Sequence, residues 1–215
     1  MAAESQLIQV DLKKIEERKI KNIIAVLKRG GVIVFPTDTF YGLGAKCYLK
    51  EAVLKIYALK KRELSKPLAL IVAEMRMAES LALEIHPLFR QLASKFWPGP
   101  LTLILKASPF LPRELLSAGN TVGLRVPASL WLRHLIKRAG FPLTATSANL
   151  SGKEEISDPK EVIKIFKGKV ELIVDGGPTP GDKPSTVVDL SSRKPKIIRE
   201  GALPSSVLEK YLKMN

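Results

Sequence analysis

An α/β fold, built on a single twisted sheet of mixed parallel and antiparallel strands with flanking helices, is what three observations predict. Segments of strand character alternate with segments of helical periodicity along the chain. The late strand-like segments follow one another too closely for every connection to be a helical crossover. Hydrophobic residues make up 46% of the 215 residues and recur as short Leu, Ile and Val runs, enough for a core without disulfide staples. A chain of this length is ordinary for one such domain, read here as spanning 1–215.

The elements follow in order. After Asp11, Ile20, Ile23, Ile24 and Leu27 keep helical spacing, with Lys28 and Arg29 in the last turn and Gly30-Gly31 as a stop. Val32 to Phe35 is a buried strand ended by Pro36, which cannot donate to a ladder. Residues 50–61 regain helical spacing through Val53, Ile56 and Tyr57, and Leu68 to Val72 reads as the next strand. Met75 to Phe96 divides into two helices at His86-Pro87, because proline suits a first helical turn and disfavours helix just before it. Trp97-Pro-Gly-Pro100 turns the chain into strands at 101–106 and 121–126. A helix from Ser129 to about Arg138 ends at Gly140, and a strand over 142–146 runs into the loop Ser147 to Gly152. Asp158-Pro159 opens a helix as cap and first-turn pair. Strands at 170–174, 186–190 and 196–199 and a helix over 205–213 complete the chain.

Charge and cysteine content narrow the function. Lys and Arg number 35 against 21 Asp and Glu, a formal +14. A phosphate-rich partner or simply a basic surface would each account for it. Cys47 is the single cysteine, so no internal disulfide or cysteine-based zinc site is expected. No window reaches the length of a membrane span and the amino terminus lacks a signal pattern, so a cytoplasmic location without membrane association is expected.

Common catalytic signatures are missing: there is no Walker loop, HExxH or GxSxG. Gly42-Leu-Gly44 has too few glycines for a dinucleotide fingerprint, and His86 and His134 read as structural. Five segments remain, each an ordinary turn or helix end when taken alone. They are Pro36-Thr-Asp-Thr-Phe-Tyr-Gly-Leu-Gly44, Lys60-Lys-Arg62 with Ser65-Lys-Pro67, and Thr121-Val-Gly-Leu-Arg125-Val-Pro127. Thr146-Ser-Ala-Asn149-Leu-Ser-Gly152 is the fourth, and Pro184-Ser-Thr-Val-Val-Asp189 with Arg199-Glu-Gly201 is the fifth. They carry hydroxyls, amides and cations in place of a paired acid and base, a set suited to polyphosphate chemistry. Arg125 lies within an apolar strand and needs an anionic partner. The glycines of the first segment would let backbone approach a ligand, and Lys60 and Arg62 are expected to be exposed near a helix end.

In order and along about residues 15–202, these segments resemble the YrdC/TsaC threonylcarbamoyl-AMP synthases. The family's KxR element looks like Lys60 and Arg62, and its SxN element like Ser147 and Asn149. PTDTFYGLG, FWPGPLT and PSTVVDL are similarly close to family motifs. The resemblance implies an adenylate-forming nucleotidyltransferase. Its reaction would join L-threonine and bicarbonate or CO2 into an N-carboxy amino acid, whose carboxylate attacks the α-phosphate of ATP and expels diphosphate. It further implies Mg²⁺ brought with ATP, and no metal held directly by the protein.

By the same resemblance, Lys60, Arg62, Ser147 and Asn149 are the catalytic set. Arg62, Lys66, Thr121, Ser147, Ser157 and Arg199 would bind ATP. Thr39, Arg125 and Ser185 would bind threonine, with Arg125 on its carboxylate and Tyr41 a further candidate for closing the pocket. The product would pass to a separate transferase complex that modifies adenosine 37 of tRNA. Departures are Ile71, where some members have histidine, Lys66 in place of asparagine, and Glu154-Glu155, which lengthen the loop before Ser157. The chain also has the length of the short form, without the further carboxyl-terminal domain of the longer branch. The alternatives are a YciO-like paralogue, a module binding double-stranded RNA or tRNA on a basic surface, and the carbamoyl-transfer chemistry of related domains in hydrogenase-maturation proteins.

Overall fold

The computed structural model describes residues 4–212. In chain order the elements are β1 (Gln6–Gln9), α1 (Glu17–Lys28), β2 (Ile33–Pro36), β3 (Tyr41–Gly44), α2 (Lys50–Lys60), β4 (Ala69–Ile71), α3 (Met75–Glu79) and α4 (Pro87–Phe96). They continue with β5 (Leu101–Lys106), a 3₁₀ turn (Arg113–Leu115), β6 (Thr121–Arg125), α5 (Leu130–Ala139), β7 (Leu143–Ser147), α6 (Pro159–Phe166), β8 (Leu172–Asp175), β9 (Thr186–Asp189), β10 (Lys196–Arg199) and α7 (Ser205–Leu212). The carboxyl-terminal helix was expected to reach Lys213, which lies outside the described residues.

Local chemistry sets the helix ends. Asp158 accepts from Lys160 N at 2.8 Å with Pro159 in the first turn, and Ser129 accepts from Leu132 N at 3.3 Å. Gly140 closes α5 at φ +76°, a left-handed conformation that costs a residue without Cβ nothing. Both histidines have structural partners: His86 Nδ1 accepts from Leu88 N at 3.1 Å, and His134 meets Glu17 of α1 at 2.9 Å.

The strands form one sheet in the order β1-β8-β2-β3-β7-β4-β6-β5-β9-β10. Pairs β1–β8, β2–β8, β4–β6 and β5–β9 are parallel, and the rest are antiparallel. Two strands were not expected. β1 has polar ends and lies at the sheet edge; β3, Tyr-Gly-Leu-Gly, has little strand propensity. The glycines of β3 serve packing. A Cβ on Gly44 would lie 2.1 Å from Thr144 O, and one on Gly42 would lie 2.8 Å from the Phe35 ring.

Alternation along the strands divides the core. Val32, Val34, Leu70, Val72, Leu101, Leu103, Leu105, Val122 and Leu124 face one side, with α2, α4, α6 and α7 packed there through residues such as Ile56, Phe89, Phe166 and Leu208. Ile33, Phe35, Leu172 and Val174 face the other, under α1 and α5, where Ile20, Leu27, Trp131 and Leu135 are buried. Their cover runs from β8 and β2 as far as Leu143 of β7 and Ile71 of β4. Beyond it the sheet surface is open, and that opening positions the site.

Candidate functional site

The exposed half of the second face is the floor of a cavity of about 420 Å³. Where the covered face carries Leu and Val, the cavity side carries Thr121, Gly123 and Arg125 on β6, Ala69 and Ile71 on β4, Ala145 and Ser147 on β7, and Thr102 and Ile104 on β5. Period-two alternation thus hides an apolar set and presents a small, polar one from the same strands.

At one end stands Arg125, 8% exposed. Its Nε donates to Gly99 O at 3.0 Å, and Nη1 reaches Thr39 Oγ1 at 3.4 Å. Nη2 lies 2.7 Å from Asp38 Oδ2 but off the donor axis, so it has no aligned acceptor, and Asp38 Oδ1 is buried without a donor. Burial pulls the guanidinium below its ordinary range, Asp38 opposes that, and the nearby Arg199 charge adds to it. Beside this group, Ser185 Oγ and Thr102 Oγ1 share a hydrogen bond of 2.9 Å. Arg199 reaches over from β10 to donate from Nη2 to Ser185 O at 2.8 Å. A Cβ on Gly201 would stand 2.2 Å from Pro184 O, so this junction of the fifth segment needs glycine.

At the other end are Thr121, Ser147 and Arg62. Arg62 donates to Lys66 O at 2.8 Å and Pro67 O at 3.1 Å, and burial lowers its pKa from the usual value. Thr121 Oγ1 pairs with Ser117 Oγ at 2.7 Å, and Ser147 Oγ donates to Asn149 Oδ1 at 2.7 Å. Lys60 corrects an expectation: it is 1% exposed, not a surface cation. Its Nζ donates to Ser147 O, to Asn149 O at 2.6 Å and to Asn149 Oδ1 at 2.8 Å. Burial, with the Arg62 charge beside it, brings the Lys60 pKa down to about 8, and Glu155 opposes that fall. An ammonium has three protons for three acceptors, so Lys60 clamps the loop that carries Ser147.

The cavity is lined by Thr39, Arg62, Thr121, Arg125, Ser147, Ser185 and Arg199, but Lys60, Asn149, Lys66 and Ser157 are not among its walls. Lys66 is exposed and reaches Glu63 at 3.3 Å. Ser157 is half-buried, its carbonyl accepting from Thr179 N at 3.0 Å. Tyr41 is fixed and cannot swing as a closing group. It is fully buried, donates to Gly177 O at 2.7 Å, and burial holds its hydroxyl up at about 12. Cys47 is buried with its thiol pushed up to about 12, which leaves it unreactive.

Sequence reasoning overlooked Asp38 as the partner of Arg125, though the demand for an anion was itself the signal. It also gave Thr102 no role, although that hydroxyl inside an apolar strand ends the FWPGPLT segment noted above. Among the described residues no group of three His, Cys, Asp or Glu side chains could hold a metal, and no helix is long and apolar enough to cross a membrane.

A protein from Pyrococcus abyssi (strain GE5 / Orsay) named threonylcarbamoyl-AMP synthase is 40% identical over 200 residues, 93% of this chain and 59% of its own length. The crystal structure of P. abyssi Sua5 complexed with L-threonine matches with a TM-score of 0.91 at 39% identity, over 96% of this chain and 60% of that one. The present chain therefore spans less than two thirds of these archaeal proteins. E. coli YciO matches with a TM-score of 0.83 at 32% identity, over 93% of this chain and 96% of its own. All share the mixed α/β sheet described above. The family model for Sua5/YciO/YrdC, described as "Telomere recombination", covers residues 25–201, and this chain belongs to that family.

Proposed function

We propose that the chain is an L-threonylcarbamoyladenylate synthase, a nucleotidyltransferase forming threonylcarbamoyl-AMP and diphosphate from L-threonine, bicarbonate or CO2, and ATP. The observation that carries this reading is a single cavity with two unlike polar ends. Arg125, with Thr39 and Ser185 beside it, suits an amino-acid carboxylate. Arg62, Thr121 and Ser147 suit a phosphate chain. The threonine-bound structure of a relative sharing 39% of its residues adds support.

In this reading the threonine nitrogen bonds to the carbon of CO2 and loses a proton, giving a carbamate. A carbamate oxygen then bonds to the α-phosphorus as the bond from that phosphorus to the bridging oxygen breaks, and diphosphate leaves with the electron pair. The protein must hold two anions together, so preorganised cations and N–H or O–H donors supply the catalysis. Arg62 and Ser147 would contact the phosphates, while Lys60 and Asn149 would act through the loop they hold. Arg199, tied to Ser185, would reach the nucleotide from the amino-acid side. Lys66 and Ser157 are left as outer contacts. Mg²⁺ fits as a cation carried by the ATP phosphates, where it would neutralise the leaving diphosphate; Glu155 is the carboxylate among the residues lining the cavity. A cytoplasmic role in making N6-threonylcarbamoyladenosine of tRNA, with handover to a transferase complex, follows from the same reading.

A YciO-like activity is the second reading, favoured by the near end-to-end match to YciO and by the apolar Ile71 in the cavity wall. Diphosphate release from ATP with Mg²⁺ and bicarbonate, with and without L-threonine, separates the two. Threonine-dependent release with an adenylate of the expected mass is the predicted result; ATP binding without any release would favour the paralogue.

A further inference from the structure

Glu154-Glu155 depart from the family pattern, and the fold treats the two acids differently. Glu154 is exposed and stands outside the cavity. Glu155 is half-buried, and among the described residues that line the cavity it is the one carboxylate, in a wall whose other charged groups are Arg62, Arg125 and Arg199. No donor or cation among the described residues bonds to the Glu155 carboxylate. Its charge is still felt at Lys60, whose Nζ donates to the carbonyl of Ser147 in the same wall. The segment is held on both sides of Glu155. Lys153 O accepts from Asn149 Nδ2, Ile156 O accepts from Tyr41 N at 2.9 Å, and the Ile156 side chain is buried in the core.

An anchored carboxylate without a partner works against a cavity that takes polyphosphate, because like charges close together and partly shielded from water repel. A divalent cation reverses that sign. Mg²⁺ takes oxygen ligands, keeps several of its waters, and is held in nucleotide sites by one or two carboxylates together with the substrate phosphates. Among the described residues no group of three His, Cys, Asp or Glu side chains assembles, so the protein alone offers no closed metal site and the phosphates must supply the remaining oxygens. We infer that Glu155 is a protein ligand for the divalent cation that accompanies ATP, a half-site completed by the phosphate oxygens of the bound nucleotide. This rests on the reading that the end of the cavity with Arg62, Thr121 and Ser147 takes a nucleotide; it does not depend on the chemistry at Arg125.

Glu155→Gln tests it, since the amide keeps the size and removes the charge, and Glu154→Gln removes the same charge outside the cavity. Calorimetry would measure ATP with Mg²⁺, ATP in EDTA, and adenosine as a probe without phosphate, on the wild type and both variants; urea denaturation and diphosphate release would be followed separately. In the wild type and in Glu154→Gln, Mg²⁺ should tighten ATP binding by at least about tenfold, and in Glu155→Gln by less than about twofold, the difference expected from one partly screened charge pair. Metal-free ATP should bind Glu155→Gln at least as tightly as it binds the wild type, because the repulsion is gone. An unchanged Mg²⁺ dependence in Glu155→Gln would overturn the cation site. So would an equal loss of ATP affinity with and without metal accompanied by weaker adenosine binding, which would make Glu155 a contact of the ribose or base. A variant whose one defect is lower stability would overturn it as well, leaving Glu155 as a counter-charge for Lys60. If the Mg²⁺ dependence collapses in Glu155→Gln while the wild type releases no diphosphate with L-threonine, the cation site stands and the synthase reading fails.

Discussion

Of two buried cations, Arg125 lines one end of this cavity and Lys60 lies behind the other, under the Ser147 loop, and they are compensated differently. Arg125 faces a carboxylate, Asp38, at 2.7 Å, and keeps one edge toward the cavity. Among the described residues Lys60 has no carboxylate within ion-pair reach, and its three protons go to carbonyl and amide oxygens of one loop. The first cation is neutralised and still presented to a ligand. The second is spent on holding backbone, so its charge reaches a ligand mainly through the position of Ser147. In the proposed reaction Lys60 would therefore act as a positioning residue that does not touch substrate.

Removing Arg125 should have the largest effect. Arg125→Ala strands the largely buried carboxylate of Asp38 and is expected to lower unfolding stability by about 3–5 kcal/mol, measured by urea denaturation, together with loss of L-threonine binding by calorimetry. The double variant Arg125→Ala/Asp38→Ala should regain part of that stability and none of the threonine affinity; failure to regain any would remove Asp38 as the compensating charge. Next comes Lys60→Ala, which takes the charged donor from three oxygens, of which Asn149 Oδ1 keeps Ser147 Oγ and Ser147 O keeps Asn149 N, and should cost about 1–3 kcal/mol. A lysine exposed at a helix end, as the sequence suggested, would instead have left the fold unaffected. A variant as stable as the wild type would show that water satisfies the loop.

A smaller effect separates the two cations by pH. With a folded pKa of about 8 against an ordinary 10.5, Lys60 binds fewer protons folded than unfolded between those values. Across that window the group makes folding more favourable as pH rises. Deprotonation removes one of its three donors, so turnover should fall as pH passes about 8 while the contribution of Lys60 to stability rises. A flat rate profile from pH 7 to 9.5 would contradict the clamp. The smallest effect is assigned to Lys66→Ala, because this exposed side chain pairs only with Glu63. Nucleotide affinity should change by less than about twofold, and a larger loss would restore Lys66 as a direct ATP contact.

Much of the fold was legible because its signals are local. Asp158-Pro159, Ser129 and Gly140 mark helix ends through contacts within four residues, and the apolar runs at 32–35 and 101–106 needed no neighbours to read as strands. β1 and β3 were not legible: Gln-Leu-Ile-Gln gains its ladder from β8, and Tyr-Gly-Leu-Gly is a strand because the Thr144 carbonyl and the Phe35 ring leave no room for larger residues. Within the candidate site, the motif positions were legible but not their surroundings. Lys60-Lys-Arg62 looks like a solvated helix end, and nothing nearby in the chain announces that Lys60 is buried.

By itself the sequence determined the α/β class, most helix and strand positions, the family and the residue types available to the cavity. Only the tertiary structure decided which of those residues face the cavity, that Asp38 is the partner of Arg125, and that Lys60 is buried under the Ser147 loop. The physical reason is distance along the chain. Caps and periodicity act over a few residues, whereas Lys60 meets Asn149 across 89 positions and Arg125 meets Thr39 across 86, so burial and charge at the site are set by the assembled sheet.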